Sequence, residues 1–236
     1  MKDDIMNNDI GFIKFIDEQY IDDYFALSEL WLANVDNFTS NEELKAEDLI
    51  NDRDEGRAGN FSSNMPAFIT CFTKIQKTDF DSSGKLNHDM VDSLLKSEVS
   101  QGNKRPFIVI SKKHMDNLMS QIIAFNAEPH SFPIEHSNIF VREIRYVDEY
   151  NKISTSADQS FRENWNVNAL AEVMYSTKDI KYQAQHELRI GIVYEVEKTE
   201  GYLPGRMIKL PAKVELASCK LNSNDLATLD ASCFFD

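Results

Sequence analysis

The chain has 236 residues, of which 42% are hydrophobic and 11% aromatic, and its 39 acidic and 25 basic side chains give a net charge of −14. This apolar content excludes a disordered chain, the length favours one large domain, and the charge disfavours coating of nucleic acid. No run reaches the roughly 20 apolar residues of a membrane span. Since the N-terminus also lacks a signal peptide's apolar stretch and there are only three cysteines, we expect a cytoplasmic protein away from membranes.

Hydrophobic patterns divide the first third of the chain into short elements. They predict, in chain order, a flexible N-terminus at 1–10, a strand at 11–15, a helix at 17–29, a strand at 30–34, a helix from Ser40, and a surface loop at 51–65. The helix from Ser40 is predicted because Ser40 and Glu43 form a capping box.

The remaining two thirds contain further helices and a run of strands towards the C-terminus. The predicted elements are a strand at 66–75, a helix around 90–95, a strand at 106–111, a helix around 115–123, a strand at 138–149, a helix at 164–175, strands at 188–198, 206–210 and 212–221, and a short helix at 224–229. Gly and Pro at 199–205 predict a hairpin-like connection. The order indicates one α+β domain over 11–236, with a mixed or mostly antiparallel sheet and flanking helices.

Seven carboxylates occur close together: Glu42, Glu43, Glu47, Asp48, Asp52, Asp54 and Glu55. One interpretation is a solvated helix face that runs into a solvated loop. The other is an anionic patch for a basic partner, such as a cationic peptide or the nucleic-acid-binding surface of a protein. A third hypothesis, a metal-using hydrolase built on Asp52, Asp54 and Glu55, needs a further ligand to converge on them.

Other candidate residues favour structural roles. His130 and His136 have no partner ligands at the spacing of a zinc finger, so no metal site is expected there. Cys71 lies within an apolar strand pattern, where a small buried hydrophobe is the usual outcome. The scattered glycines form no phosphate-binding loop.

The segment KDIKYQAQHELRI, residues 178–190, has the most specific local pattern. In a strand, Gln185, Glu187 and Arg189 would share one polar face, while Leu188 and Ile190 would face the other side. That face is either exposed to solvent, with a Glu–Arg contact, or it positions a carboxylate inside a cleft.

The order of motifs resembles a bacterial and phage family of uncharacterised domains. The matching segments are FIKF at 12–15, LWLAN at 30–34, NDRDEGR at 51–57, ITCFT at 69–73 and YQAQHELRI at 182–190. The chain departs from the family at 38–43, which lacks the usual Asn-Asp-Pro, and at Thr73, which replaces a serine. The resemblance implies the order of the fold and transfers no activity.

A second resemblance suggests a chemistry. Gln185-His186-Glu187 is similar to the Q-x-E element of ADP-ribosyltransferases, and Ser154-Thr155-Ser156 spells their S-T-S motif. The resemblance implies that NAD is the donor substrate, and no metal is predicted. It also implies that Glu187 stabilises an oxocarbenium-like transition state, with Gln185 beside it as the second catalytic residue.

The same resemblance implies the residues that hold NAD. Ser154 and Ser156 would support the NAD pocket, and Arg105 would contact a phosphate through its planar guanidinium. In the register of the first family, Lys14 takes the early basic position and Thr73 the Ser/Thr position, with Tyr182 near the cofactor. The predicted function is an ADP-ribosyltransferase-like effector, toxin or defence protein, and the alternative is a non-catalytic acidic protein that binds or inhibits a partner with a basic surface.

Overall fold

A ten-residue strand, Ala67–Gln76, lies at the centre of the sheet. Its sequence AFITCFTKIQ is rich in β-branched and aromatic residues, and every residue except Cys71 and Gln76 is buried. Such a run is typical of a strand that is covered on both faces. The structure is a computed structural model, and it describes residues 8–35, 57–58, 61–62, 67–98, 105–127, 139–148, 175–193 and 203–235.

The described residues form strands, two α-helices and several 3₁₀ segments. The strands are β1 (Asp9–Phe15), β2 (Leu27–Asn34), β3 (Arg57–Ala58), β4 (Phe61–Ser62), β5 (Ala67–Gln76), β6 (Pro106–Ser111), β7 (Phe140–Glu143), β8 (Arg145–Val147), β9 (Thr177–Asp179), β10 (Glu187–Val193), β11 (Gly205–Val214) and β12 (Cys219–Asn222). The α-helices are α1 (His88–Glu98) and α2 (Lys112–Ala127). The 3₁₀ segments are Glu18–Ala26, Lys77–Asp79, Ile180–Gln185, Ser223–Thr228 and Ala231–Phe234.

Both edges of β5 carry neighbouring strands. On one edge β10 pairs with it from Glu187 opposite Thr73 to Val193 opposite Ala67. On the other edge β1 pairs with the C-terminal part of β5, and β2 pairs with Ile69 and Phe68. The sheet continues from β1 to β6 and β12, from β10 to β7, and from β2 to β11, and all these pairs are antiparallel. Two small pairs, β3 with β4 and the parallel β8 with β9, stand apart from this sheet.

The sheet has hydrophobic cores on both of its faces. Helix α2 packs Met115, Leu118 and Ile122 against one face, together with side chains of β2, β10 and β11. Helix α1 and the C-terminal 3₁₀ segments cover part of the other face. Near the β7 side of that second face, the Gly191 backbone lies so close to Phe140 that an added Cβ would be 2.6 Å from its ring. The chain is therefore a single α+β domain with a mostly antiparallel sheet, as the sequence predicts.

Several boundaries differ from the sequence prediction. The helix predicted at 17–29 is a 3₁₀ segment that ends at Ala26, because β2 already begins at Leu27 to pair with β11. The strand predicted at 138–149 is interrupted at Ile144, whose N–H donates to the Glu187 carbonyl instead of continuing a ladder. Ile10, assigned from sequence to the flexible N-terminus, is buried in β1.

The described parts of β10 and β11 are not paired with each other, and most of the predicted hairpin-like connection lies outside the described residues. Among the described residues β10 pairs with β5 and β7, whereas β11 pairs with β2. Turn-forming residues show that a chain can reverse but not which strand it pairs with next. The helices predicted from Ser40 and at 164–175 lie outside the described residues, apart from Tyr175. None of the described helices is long and apolar enough to cross a membrane.

Candidate active site

Glu187 is the first residue of β10, and its side chain lies on the face of the sheet away from α2. Its cross-strand partner is Thr73 of β5, so the two side chains are neighbours on that face. The residue before it, His186, has φ 43° and ψ 47°, the left-handed conformation that ends the preceding 3₁₀ segment. This sharp turn places Gln185 beside the start of β10 although it is not in the strand.

The Glu187 carboxylate is the centre of a buried ion cluster. Lys178 Nζ lies 2.8 Å from Glu187 Oε2, and Arg189 Nε donates to Oε1. A second guanidinium nitrogen, Arg189 Nη2, is 3.3 Å from Oε2, and Nη1 donates to the Tyr175 carbonyl at 2.7 Å. The three ionised side chains are 7% (Glu187), 7% (Lys178) and 1% (Arg189) exposed. The interpretation of this face as exposed to solvent is therefore wrong.

Polar side chains from other elements complete the cluster. Lys178 Nζ donates to Gln185 Oε1 at 3.0 Å and lies 5.3 Å from the centre of the Tyr182 ring. Cys71 lies opposite Arg189 in the β5–β10 pair, so its thiol is on the same face of the sheet as the Glu187 carboxylate. The Glu187 backbone N–H donates to the Tyr146 hydroxyl at 2.9 Å. We call Glu187, Lys178, Arg189, Gln185, Tyr182, Thr73, Cys71 and Tyr146 the Glu187 cluster.

The cluster keeps its carboxylate charged and its neutral acids protonated. Burial opposes ionisation of Glu187, but the Arg189 guanidinium and the Lys178 ammonium outweigh burial and hold its pKa well below the usual range. Burial, reinforced by the Glu187 charge, raises the pKa of the Cys71 thiol and of the Tyr146 hydroxyl. Cys71 is therefore a poor nucleophile. One negative and two positive charges leave the cluster with an excess of positive charge, which favours an anionic ligand.

A second polar group lies next to the cluster at the same end of the sheet. Lys74 forms ion pairs with Glu143 at 2.8 Å and with Asp9 at 3.3 Å. His186 Nδ1 is buried, has no hydrogen-bond partner among the described residues, and lies 3.9 Å from Asp79 Oδ2. Burial raises the pKa of the Asp79 carboxyl. This end of the sheet thus concentrates buried charge from several separate segments of the chain.

The structure brings together half of the site residues predicted from sequence. Glu187, Gln185, Thr73 and Tyr182 all belong to the Glu187 cluster. Lys14 does not, because it lies on the α2 face of the sheet, where its Nζ donates to Thr70 Oγ1 at 2.7 Å and to the Cys71 carbonyl at 3.0 Å.

The other predicted site residues lie elsewhere or outside the described residues. Arg105 precedes β6 and is paired with Asp17 at 3.2 Å, away from Glu187. Ser154 and Ser156, like His130, His136 and the acidic stretch 42–55, are not among the described residues. In the part of the chain that the structure describes, no three His, Cys, Asp or Glu side chains converge as a metal site.

Sequence reasoning missed Lys178 and Tyr146 as members of the cluster. Lys178 opens the segment 178–190, so a basic residue seven positions before Gln185 was visible, but the intervening 3₁₀ segment that folds it back was not predicted. Tyr146 comes from β8, and nothing in its local sequence indicates a contact with the Glu187 backbone. Cys71 is half-buried, so it is not the fully buried small hydrophobe that the apolar strand pattern predicts.

No protein-family model, curated protein or solved structure matches the chain significantly. The class of protein is thus described by its own fold and cluster alone: an α+β domain with a buried carboxylate held between two cations. The two resemblances noted in the sequence stay predictions.

Proposed function

We propose that the protein is an NAD-using transferase of the ADP-ribosyltransferase type, an effector, toxin or defence protein, with Glu187 as its catalytic carboxylate. The proposal is supported by one observation above the others. Glu187 and Gln185, the two residues of the Q-x-E pattern, share Lys178 as a partner within 3.0 Å. Thr73 and Tyr182 lie in the same cluster.

The chemistry follows from the charges of the cluster. In ribosyl transfer the bond between the ribose carbon and the nicotinamide nitrogen breaks, and its electron pair leaves with nicotinamide. An oxygen or nitrogen of the target then bonds to that carbon and loses a proton. The ribose ring is cationic in the transition state, so a fixed anion beside it lowers the barrier. The low pKa of Glu187 keeps that anion present at neutral pH.

The two cations supply the second requirement, a site for the diphosphate of NAD. With Lys178 and Arg189 both on Glu187, the carboxylate alone would be too well neutralised to stabilise a cation. A diphosphate that accepts from Lys178 in place of Glu187 Oε2 would free this oxygen for a ribose hydroxyl. An exchange of partners on Lys178 is therefore part of the proposed mechanism.

NAD can reach the cluster only if its cover moves. Gln185 and Glu187 are buried, but they lie next to the 3₁₀ segment Ile180–Gln185, in which Lys181, Gln183 and Ala184 are exposed. This segment is held to α1 by the Ser93 hydroxyl, which donates to the Ala184 carbonyl at 3.1 Å. We infer that displacement of this segment admits NAD.

The experiment is an assay of nicotinamide release from NAD in a cell lysate, together with detection of labelled product. Gln185→Ala is the diagnostic variant because it leaves the ion pairs of Glu187 intact. Gln183→Ala, an exposed glutamine of the same 3₁₀ segment, is its matched control. We expect a loss of about tenfold or more for Gln185→Ala, as for a positioned catalytic group, and no change for Gln183→Ala. If the wild-type protein showed no NAD binding and no nicotinamide release, the proposal would be overturned.

A second candidate is the non-catalytic acidic binding protein. It is favoured by Asp22 and Asp23, which are exposed in the 3₁₀ segment Glu18–Ala26 beside Tyr20, itself 53% exposed. An exposed aromatic among carboxylates suits a basic protein partner. Capture of a partner that is lost at high salt, and lost with Asp22→Asn/Asp23→Asn but not with Asp89→Asn/Asp92→Asn on α1, would support it. Capture that is insensitive to salt would contradict it.

A further inference from the structure

A cavity of about 740 Å³ lies where α2 begins, beside the end of β11. This cavity is an open surface groove: its lining residues are the exposed Ala26, Lys113, Asn117, Lys213 and Glu215 and the half-buried His114. Helix α2 packs on the face of the sheet opposite to the Glu187 side chain, so this cavity is separate from the Glu187 cluster.

Hydrogen bonds fix the walls of the cavity relative to one another. The Gln121 side chain of α2 accepts from the Ala212 N–H of β11 at 2.9 Å. His114 Nδ1 lies 3.2 Å from the Ser218 hydroxyl, and the N–H groups of Leu216 and Ala217 both donate to the Tyr24 carbonyl. The lining side chains therefore project from a preformed frame, as binding cavities usually do.

The charge of the lining is opposite to that of the whole protein. The chain has a net charge of −14, yet among the described lining residues two lysines, Lys113 and Lys213, stand against one carboxylate, Glu215. The lysines come from elements about 100 residues apart in sequence, so the fold and not local composition brings them together. A concave site of this sign concentrates anions from solution.

The remaining lining residues limit the class of anion. Among the described residues, the lining contains no aromatic side chain and Ala26 is its only apolar residue, so these residues offer a nucleobase no surface to stack on. Lysine ammonium groups bind phosphate as point charges, whereas Glu215 and Asn117 offer acceptors for hydroxyl groups. We propose that this cavity binds a phosphorylated polyol, with the phosphate between Lys113 and Lys213 and the hydroxyl groups on Glu215 and Asn117.

The test is a calorimetric titration with two probes, glucose 6-phosphate and inorganic pyrophosphate. We expect Lys113→Gln/Lys213→Gln to weaken glucose 6-phosphate by about tenfold or more, since each lost charge contact is a large part of the binding energy. The control, Lys85→Gln/Lys96→Gln, removes the same charge from exposed positions outside the cavity and should change the affinity by less than about twofold. Absence of binding to the wild-type protein, or equal losses in both double variants, would overturn the proposal.

A third variant tests whether the polyol part is recognised. Removal of the carboxylate in Glu215→Ala should strengthen the binding of pyrophosphate, because a repulsive charge is lost. It should weaken the binding of glucose 6-phosphate, because a hydroxyl acceptor is lost. Equal tightening of both probes would overturn the polyol assignment. None of these residues belongs to the Glu187 cluster, so failure of NAD turnover and failure of this site are distinguished directly.

Discussion

Two lysines on opposite faces of the sheet, the half-buried Lys14 and the buried Lys178, illustrate different ways of holding a cation. The ammonium of Lys14, on the α2 face, is held by the Thr70 hydroxyl and the Cys71 carbonyl and lies 4.8 Å from the centre of the Phe72 ring. The ammonium of Lys178, on the other face, lies 2.8 Å from the Glu187 carboxylate. Thr70, Cys71 and Phe72 are consecutive residues of β5, so alternation along one strand separates the two environments.

The comparison shows that the stronger contact is also the more fragile one. Buried opposite charges attract each other strongly, but both have lost their hydration. Removal of one partner therefore leaves the other with a large desolvation cost that no attraction offsets. Hydroxyl, carbonyl and aromatic partners stabilise a cation less, and their loss leaves a smaller deficit. We therefore expect mutations to have larger effects at the Glu187 cluster than at Lys14.

The largest effect is expected for Glu187→Gln. The amide leaves Lys178 and Arg189 buried without their counter-charge, so unfolding by urea should show a loss of about 3–5 kcal/mol in the free energy of unfolding. Lys178→Gln should cost less, because Arg189 still pairs with the carboxylate. A loss below about 1 kcal/mol for Glu187→Gln would show that the cluster is solvated and would remove the contrast with Lys14.

The pH dependence of stability should report the charge of the Glu187 carboxylate. The folded pKa of Glu187 is lowered, so its contribution is complete above the unfolded value of about 4.3 and is lost as the pH falls below it. The difference in unfolding free energy between wild type and Glu187→Gln should therefore shrink as the medium is acidified. Denaturant titrations of both proteins at several acidic pH values measure this difference.

A smaller effect is expected for Lys14→Met. The apolar side chain fills a similar volume but leaves Thr70 and the Cys71 carbonyl without their donor, at a cost of about 1–2 kcal/mol. Urea unfolding of Lys14→Met and Lys178→Met side by side measures the contrast between the two faces. A greater loss for Lys14→Met would reverse it.

The smallest effect is expected for Arg105→Gln. Its partner Asp17 is 61% exposed and Arg105 itself 37% exposed, so water screens the pair and the expected loss is about 0–1 kcal/mol. The same variant should leave NAD turnover unchanged, since Arg105 lies away from the Glu187 cluster. A marked loss of turnover would instead support the phosphate contact that the resemblance to ADP-ribosyltransferases implies for Arg105.

Local patterns in the sequence predicted most elements and part of the candidate site. The strand at Pro106–Ser111 has the bounds expected from PFIVIS, and both described α-helices lie where apolar spacing indicates. Alternation in β10 correctly separated Glu187 and Arg189 from Leu188 and Ile190. These properties depend on side chains a few residues apart, and such local spacing is what a sequence records directly.

Contacts between distant segments could not be predicted in the same way. The polar face of β10 is buried because Tyr146 of β8 and the segment that carries Tyr175 and Lys178 provide partners there. The pairing of β11 with β2 instead of β10 is likewise a choice between distant strands. The placement of Lys14 away from Glu187 depends on the register of β1 against β5, which the composition of neither strand specifies.

The sequence by itself determined the α+β class, the acidic character of the protein and the polar pattern that singles out Glu187, because these follow from composition and short-range periodicity. Only the tertiary structure decided that this carboxylate is buried between two cations and that a basic cavity exists on an acidic protein. Both are properties of charges brought within a few ångströms by folding. The energy of their interaction depends on that distance and on the exclusion of water. Neither the distance nor the exclusion of water can be read from the linear sequence.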